Sequence, residues 1–248
     1  MVFRVPLTLA TITPGEPEIF AALQGEGPSA GKPCAFVRLS RCNLACEWCD
    51  TAYTWHFDGD SRPHRDGETY TRAANQVLLE EADVAARIAA LRQPRLVITG
   101  GEPLLQEKAL ARMLEKLCDV RVEVETNGTV APSAALAGRV AQWNVSPKLA
   151  HSGNAPDLAL IPDRLAAWAA DERAVFKFVV ASPDDLTEIT AIAETHGIAP
   201  GRIWLMPEGR DPASLRARLP WIEAACLAHG FCFTDRLHIH LHGDSRGT

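Results

Sequence analysis

Six short apolar segments, separated by helical patterns, constrain the fold of this 248-residue chain more than any other feature. They span residues 34–40, 95–99, 120–125, 142–146, 175–181 and 203–206, and they are β-branched or apolar, as buried parallel strands are. Strands that alternate with helices predict βα units and a parallel sheet. Six units are too few for an eight-stranded barrel, so this pattern allows either a partial barrel or a doubly wound sheet.

The segments between these strands have helical periodicity, and we expect one domain over residues 1–248. The apolar faces are Val84, Ile88 and Leu91, then Leu110, Leu114 and Leu117, then Leu186, Ile189 and Ile192. The segment 212–229 is also helical in pattern, but Pro220 predicts a break in it. The polar stretch 53–71 predicts a long loop or small insertion near the site.

Five polar motifs begin where a predicted strand ends, and they indicate where a site forms. They read CNLACEWCDT, TGGEP, ETNG, SPK and MPEG. Loops that follow the carboxyl ends of parallel strands emerge on one face of the sheet. The sequence therefore predicts a single site at that edge.

The overall charge and the cysteine content limit the class of protein. A net charge of −6 and a pI near 5.8 argue against a nucleic-acid or membrane-surface protein. No stretch approaches the roughly 18 apolar residues of a membrane helix, and the N-terminus does not resemble a secretory signal. We therefore expect a cytoplasmic protein, in which the seven cysteines are ligands, catalysts or core residues rather than disulfides.

Three of the cysteines, Cys42, Cys46 and Cys49, have the spacing Cys-x3-Cys-x2-Cys, which allows them to surround one metal centre. Structural zinc needs four protein ligands, and no fourth lies within short reach. Three ligands to a four-iron cluster leave one iron open to a substrate or cofactor. A zinc knuckle or an electron-transfer cluster remains an alternative. Core positions are expected for the other four cysteines, which are Cys34, Cys118, Cys226 and Cys232.

The cysteine loop resembles that of the radical S-adenosylmethionine superfamily, and TGGEP (residues 99–103) resembles its glycine-rich motif. The resemblance implies a partial (β/α)6 barrel, a [4Fe–4S] cluster on three cysteines, and S-adenosylmethionine chelated by the open iron. Reductive cleavage of that cofactor yields a 5′-deoxyadenosyl radical. The rival readings are an activase that makes a glycyl radical on a partner protein, and a radical enzyme acting on another small heterocycle.

A wider set of motifs is similar to the 7-carboxy-7-deazaguanine synthase family. It consists of LQGEG (residues 23–27), Arg38, Cys49-Asp50-Thr51, TGGEP, ETNG, SPK and the tail GDSRGT. That family converts 6-carboxy-5,6,7,8-tetrahydropterin into 7-carboxy-7-deazaguanine with loss of ammonia, on the way to queuosine and other deazapurines. The similarity further implies Mg²⁺, a homodimer and an electron donor such as flavodoxin or ferredoxin.

The similarity also implies roles for individual residues. Substrate contacts are expected at Leu23, Gln24, Gly25, Arg38 and Thr99; cofactor contacts are expected at Gly101, Ser146, Pro147, Lys148, Met206, Pro207, Glu208 and Gly209. Arg38 lies in an apolar strand, where its charge needs either a substrate carboxylate or an internal ion pair with Glu26 or another acid. Thr51 is the expected magnesium ligand, or else it caps its loop.

Two features are less determined by the sequence. Lys177 alternates with apolar neighbours on its strand and points inward, toward either a carboxylate ligand or an ion-pair partner. The tail from about residue 235 is expected to close the substrate pocket. Its His238, His240 and His242 predict one face of a plain terminal strand, with a shared metal ion as the alternative, and His242 stands where the similarity predicts Trp.

Overall fold

The computed structural model describes residues 5–248, in which one mixed sheet forms the centre of the molecule. Its strands are β1 (Leu7–Thr13), β2 (Glu16–Pro17), β3 (Ile19–Leu23), β4 (Pro33–Leu39), β5 (Gln76–Leu79), β6 (Arg95–Gly100), β7 (Arg121–Thr126), β8 (Val140–Val145), β9 (Ala174–Val180), β10 (Ile203–Pro207) and β11 (Cys232–Phe233). The six predicted strands are confirmed as β4 and β6 to β10, with ends within two residues of the expected positions.

These six strands are parallel and pair in chain order, β4-β6-β7-β8-β9-β10. Consecutive pairing is the order of a barrel, whereas a doubly wound sheet reverses direction at a switch point. In the described residues the paired strands run from β11 to β2, with β3 and β5 as side branches, and β11 does not pair back with this end, so the sheet does not close on itself. The partial (β/α)6 barrel is therefore confirmed.

Helices connect the parallel strands and cover the sheet. They are α1 (Arg72–Asn75), α2 (Glu81–Ala90), α3 (Glu107–Leu114), α4 (Ala134–Ala137), α5 (Pro156–Ala159), α6 (Pro162–Ala170), α7 (Asp185–His196), α8 (Pro212–His229) and α9 (Leu237–His242). The predicted apolar faces pack into one core, where Val84, Leu110 and Ile189 are fully buried beside Phe176 and Trp143. Within residues 5–248, no helix is both long and apolar enough to span a bilayer.

An antiparallel extension precedes the barrel and was not predicted. Strand β3 pairs with β4, which stacks Phe20 on Phe36 with ring centroids 5.2 Å apart, and β1 pairs with β4 and β5. Because β3 is antiparallel to β4, its last residue Leu23 lies opposite Pro33 at the start of β4, and residues 23–26 of the LQGEG motif line the same cavity as the cysteine loop. The extension thus completes the wall of the site.

Three local predictions were wrong. Helix α8 continues through Pro220, because burial of Leu215 and Ile222 and the Asp211 cap outweigh the roughly 3 kcal/mol cost of an internal proline. The histidine tail is the short helix α9 rather than a strand, and it begins where Leu237 N–H donates to the Gly25 carbonyl (2.9 Å). Cys118 is exposed rather than in the core.

Candidate functional site

A cavity of about 190 Å³ opens at the carboxyl ends of the parallel strands. Each of the five motifs contributes to it, together with LQGEG and Arg38. The expected site residues that line it are Leu23, Gln24, Gly25, Arg38, Cys42, Cys46, Cys49, Thr51, Thr99, Gly101, Ser146, Lys148, Met206, Pro207 and Glu208. Pro147 and Gly209 do not line it.

The three cysteines lie on one loop, between β4 and the turn at Ala52–Thr54, and hydrogen-bond donors surround their sulfur atoms. Asn154 Nδ2 lies 3.3 Å from Cys46 Sγ, and Asn127 Nδ2 lies 3.9 Å from Cys42 Sγ. The Thr51 hydroxyl lies 3.7 Å from Cys49 Sγ. Donors of this kind stabilise thiolates and tune the cluster that they hold.

This set of residues fits an iron–sulfur cluster better than a single metal ion. Burial raises the pKa of the Cys42 thiol to about 12 and that of Cys46 to about 11, so the free thiols are protonated and a bound metal centre must displace their protons. In residues 5–248, no three His, Cys, Asp or Glu side chains converge closely enough for one ion. Three thiols that line one cavity, with no group suited to a single ion among the described residues, fit the corners of a larger cluster.

The glycine-rich loop after β6 packs directly on the cysteine loop. A Cβ on Gly101 would lie 2.2 Å from the Arg41 carbonyl oxygen, and one on Gly100 would lie 2.1 Å from that of Leu39. Gly100 also has a φ of 141°, which side-chain-bearing residues rarely adopt. The glycines therefore allow close contact between two backbones, and the expected contact of Gly101 with the cofactor stays a prediction.

Glu102 joins the glycine-rich loop to the ETNG loop. It is fully buried and accepts hydrogen bonds from Asn127 N (2.7 Å), Leu104 N (2.9 Å) and Thr126 Oγ1 (2.9 Å). Burial raises its pKa, and these donors act in the opposite direction. Both oxygens of its carboxylate thus accept hydrogen bonds from within the protein, and these bonds hold the two loops together.

One wall of the cavity is built from hydrogen-bonding side chains around Glu125. The Gln24 side-chain amide donates to Oε1 of Glu125 (3.2 Å), and the Thr99 hydroxyl donates to Oε2 (2.8 Å). A Cβ at Gly25 would lie 2.3 Å from His238 Nδ1, so glycine there allows the tail to pack against this wall. The wall presents acceptors and donors side by side, as recognition of a polar heterocycle requires.

Arg38 makes the internal ion pair that the sequence allowed, with Glu18 rather than Glu26. Its Nε donates to Glu18 Oε1 (2.7 Å), and Tyr53 donates to the other oxygen of Glu18 (2.9 Å). Burial disfavours the charge, but the neighbouring carboxylate raises the pKa of Arg38, so it stays protonated. Among residues 5–248, its two Nη groups make no hydrogen bond, which leaves them for a ligand in the cavity.

A buried network of charges lies deeper in the same cavity. Lys177 points inward, pairs with Glu26 and lies 3.9 Å from Glu125. Arg236 pairs with Glu26 (3.3 Å between Nε and Oε1) and with Asp50. Burial would raise the pKa of Glu26, but Lys177 and Arg236 hold it well below its usual range. Arg236 was missed by the sequence reasoning, and its only signal was a charged residue in the tail beside His238.

The expected cofactor-binding side has more internal partners than the sequence suggested. The Lys148 ammonium donates to the Ser146 hydroxyl (2.7 Å). The Glu208 carboxylate binds Arg65 (2.6 Å) from the polar stretch and Arg218 (3.1 Å) from α8. Glu208 therefore joins the end of β10 to its neighbours, and its contact with a cofactor stays a prediction.

The polar stretch 53–71 and the tail both border the cavity. His64 Nε2 lies 2.8 Å from the Cys49 carbonyl oxygen, so the polar stretch packs on the cysteine loop. In the tail, His238 and Thr248 line the cavity, and the Arg246 guanidinium lies 3.6 Å from the ring centroid of Tyr53. These contacts place parts of the tail beside the cavity, and its closure of the substrate pocket stays a prediction.

The fold and the three-cysteine loop define a radical S-adenosylmethionine enzyme, and the family model of the Radical SAM superfamily matches residues 37–144. The chain is 38% identical to the 7-carboxy-7-deazaguanine synthase of Pyrobaculum aerophilum (93% of this chain, 95% of the relative) and 34% identical to that of Rhodopirellula baltica (93% and 87%). The crystal structure of QueE from Escherichia coli superposes with a TM-score of 0.64 at 25% identity, covering 93% and 95% of the two chains.

The chain therefore belongs to the 7-carboxy-7-deazaguanine synthase family. It is an enzyme whose cofactors are a [4Fe–4S] cluster and S-adenosylmethionine, and its substrate is a small molecule. The rival interpretation as a zinc or simple electron-transfer protein is wrong. Cys42, Cys46 and Cys49 are the residues that fit the cluster.

Proposed function

We propose that this enzyme rearranges 6-carboxy-5,6,7,8-tetrahydropterin into 7-carboxy-7-deazaguanine with loss of ammonia, in the cytoplasm, for queuosine or another deazapurine. The observation that carries the proposal is one cavity with three cluster thiols on one side and the Gln24–Glu125–Thr99 wall on the other. When bound, S-adenosylmethionine and the reduced cluster supply a 5′-deoxyadenosyl radical that abstracts a hydrogen atom. The electron comes from a flavodoxin or ferredoxin, and the enzyme acts as a homodimer.

The residues of the chain bind and orient the heterocycle. The free Nη groups of Arg38 bind the substrate carboxylate, while Glu18 fixes the guanidinium from behind. The Glu125 carboxylate, the Gln24 amide and the backbone at Leu23 and Gly25 pair with ring N–H and carbonyl groups. A substrate held at both ends has little freedom to rotate away from the cluster side.

Thr51 holds Mg²⁺ in this proposal. It begins the turn Ala52–Thr54 but makes no side-chain capping bond, which argues against the alternative that it only caps the loop. Magnesium prefers oxygen ligands and retains several waters, so one hydroxyl and the substrate carboxylate suffice. The other expected cofactor residues that line the cavity, Gly101, Ser146, Lys148, Met206, Pro207 and Glu208, serve S-adenosylmethionine.

The test is an anaerobic assay with reconstituted protein, dithionite-reduced or supplied with reduced flavodoxin, and the carboxylated tetrahydropterin. We expect about four irons per chain, formation of the deazaguanine chromophore, and release of ammonia. Arg38→Gln should raise KM more than it lowers kcat, because it removes the bidentate partner of the carboxylate. Cleavage of S-adenosylmethionine without any deazaguanine product would overturn the substrate assignment and favour an activase or another heterocycle.

A further inference from the structure

One buried arginine contacts three of the loops that build the site, although it comes from none of the motifs. Arg236 lies between β11 and α9, and its side chain is 7% exposed. Its Nε donates to Glu26 in the LQGEG loop, Nη2 donates to Asp50 in the cysteine loop, and Nη1 donates to the Gly209 carbonyl (2.5 Å) after β10. All three nitrogen atoms of its guanidinium thus donate to loops that build the site.

We infer that Arg236 is a positioning residue that holds the substrate wall and the cysteine loop in one fixed relation. This inference rests on the proposed function, because it concerns how the heterocycle is placed against the cluster side. Asp50 lies between Cys49 and Thr51, so the bond from Arg236 restrains the end of the cysteine loop and the proposed magnesium ligand. Glu26 lies next to Gly25, so the same side chain restrains the wall opposite.

The chemistry of arginine explains why this position needs that residue. A planar guanidinium offers donors in fixed directions and can meet three acceptors at once. A lysine keeps the charge, but its single ammonium cannot reach Glu26, Asp50 and the Gly209 carbonyl in the same geometry. Loss of the contact with Asp50 removes the arginine partner of that carboxylate, and loss of the contact with Glu26 leaves only Lys177 to hold it, so either carboxylate is freer to turn toward the substrate or the metal.

A second arginine provides the matched control. Arg202 also uses its guanidinium as a clamp, but it binds four backbone carbonyls, those of Ala174, Ala169, Trp168 and Asp171. These acceptors lie where β9 begins, at the edge of the sheet opposite the cavity. Arg202→Lys therefore removes a comparable set of bonds without touching a loop of the site.

The experiment compares Arg236→Lys with Arg202→Lys in the reconstituted holoenzyme. For Arg236→Lys we expect about a 10²-fold loss of kcat/KM, because small displacements of a substrate carry costs of this size. We also expect 5′-deoxyadenosine in excess over product, weaker calorimetric binding of the tetrahydropterin, and unchanged iron content. For Arg202→Lys we expect a lower melting temperature with unchanged product ratio, KM and substrate binding.

Asp50→Asn and Glu26→Gln keep the inference testable if Arg236→Lys does not fold, since each weakens one arm of the clamp. Both should give excess 5′-deoxyadenosine, and combining either with Arg236→Lys should add little further loss. If Arg236→Lys and Asp50→Asn only lower the melting temperature, as Arg202→Lys does, Arg236 is merely structural and the inference is wrong. A wild-type enzyme that forms no deazaguanine would instead contradict the proposed function.

Discussion

Two arginines at each edge of the parallel sheet show how the acceptors of their side chains differ. At the amino-terminal edge, Arg202 and Arg173 donate mainly to backbone carbonyls at the ends of helices and the starts of strands, such as those of Ala174 and Val140. At the carboxyl-terminal edge, Arg38 and Arg236 donate to carboxylate side chains. Arg202 and Arg173 thus satisfy polar backbone groups, whereas Arg38 and Arg236 belong to a set of charges around a cavity.

This difference shows at which edge of the sheet a ligand can replace an internal hydrogen-bond partner. A carbonyl at a helix end is part of the backbone and is satisfied by one fixed donor. A half-buried carboxylate such as Glu26 or Glu125 is costly unless paired, and a ligand with N–H groups can share that pairing. The carboxyl edge is therefore built from groups suited to bind substrate, and the amino edge from groups suited to stability.

The largest loss of activity is expected for Cys46→Ala, at the carboxyl-terminal edge. With only two thiolates left, the cluster loses a corner, so we expect no measurable product and no 5′-deoxyadenosine, with iron well below four per chain. The exposed Cys118 provides the control, because Cys118→Ala should retain iron and activity. Full iron content in Cys46→Ala would mean that this thiol does not bind the cluster.

The next effect tests the buried network. Lys177→Met removes the cation between Glu26 and Glu125, so two buried carboxylates face each other with one partner fewer. We expect a loss of about 3–5 kcal/mol of unfolding free energy and at least a 10²-fold loss of kcat/KM. Adding Glu26→Gln should restore part of the stability, as measured by urea unfolding. No recovery would contradict the pairing.

A pH titration compares the two edges directly. The pKa of Glu26 is lowered in the folded protein, so its contribution to stability is complete above its ordinary value of 4.5 and is lost as the pH falls toward the lower folded value. Glu26→Gln should therefore destabilise the protein at pH 7, and this penalty should shrink below about pH 4.5.

The matched change at the other edge is Asp171→Asn, in a pair with Arg173 that is more exposed. The hydrogen bond from Arg173 also lowers the pKa of Asp171, so Asp171→Asn should likewise destabilise the protein more at pH 7 than at low pH. Because the pair is more exposed, this change in the penalty with pH should be smaller than for Glu26→Gln. Urea midpoints of both variants between pH 3 and 7 measure the two changes. If both variants changed equally in stability with pH, burial would not explain any difference between the two carboxylates.

The smallest effect is expected for Arg173→Ala. Its Nη1 donates to the carbonyls of Ala137 (2.7 Å) and Val140 (2.8 Å), but the side chain is 39% exposed, so water can replace part of this bonding. We expect a loss of about 1 kcal/mol of unfolding free energy, with unchanged kcat and KM. Altered kcat or KM would show that the amino-terminal edge is coupled to the site and does not serve stability alone.

Much of the site could be predicted because its signals are local. The cysteine spacing and each polar motif after a strand involve residues that are close together in the sequence. Parallel strands bring such motifs to one edge of the sheet, whatever their side chains. Glu18 and Arg236 could not be found this way. Glu18 meets Arg38 from 20 residues away, and Arg236 meets Glu26 from 210 residues away, so nothing in the neighbouring sequence marks either pair.

The sequence by itself determined the parallel strands, the three cluster cysteines and the edge at which they meet, because hydrophobic period and motif spacing act over a few residues. Only the tertiary structure decided which carboxylates pair with Arg38, Lys177 and Arg236, that Pro220 stays helical, and that the tail begins with a short helix beside the cavity. Those outcomes depend on burial and on contacts between distant segments, which outweigh local preference once the core has formed.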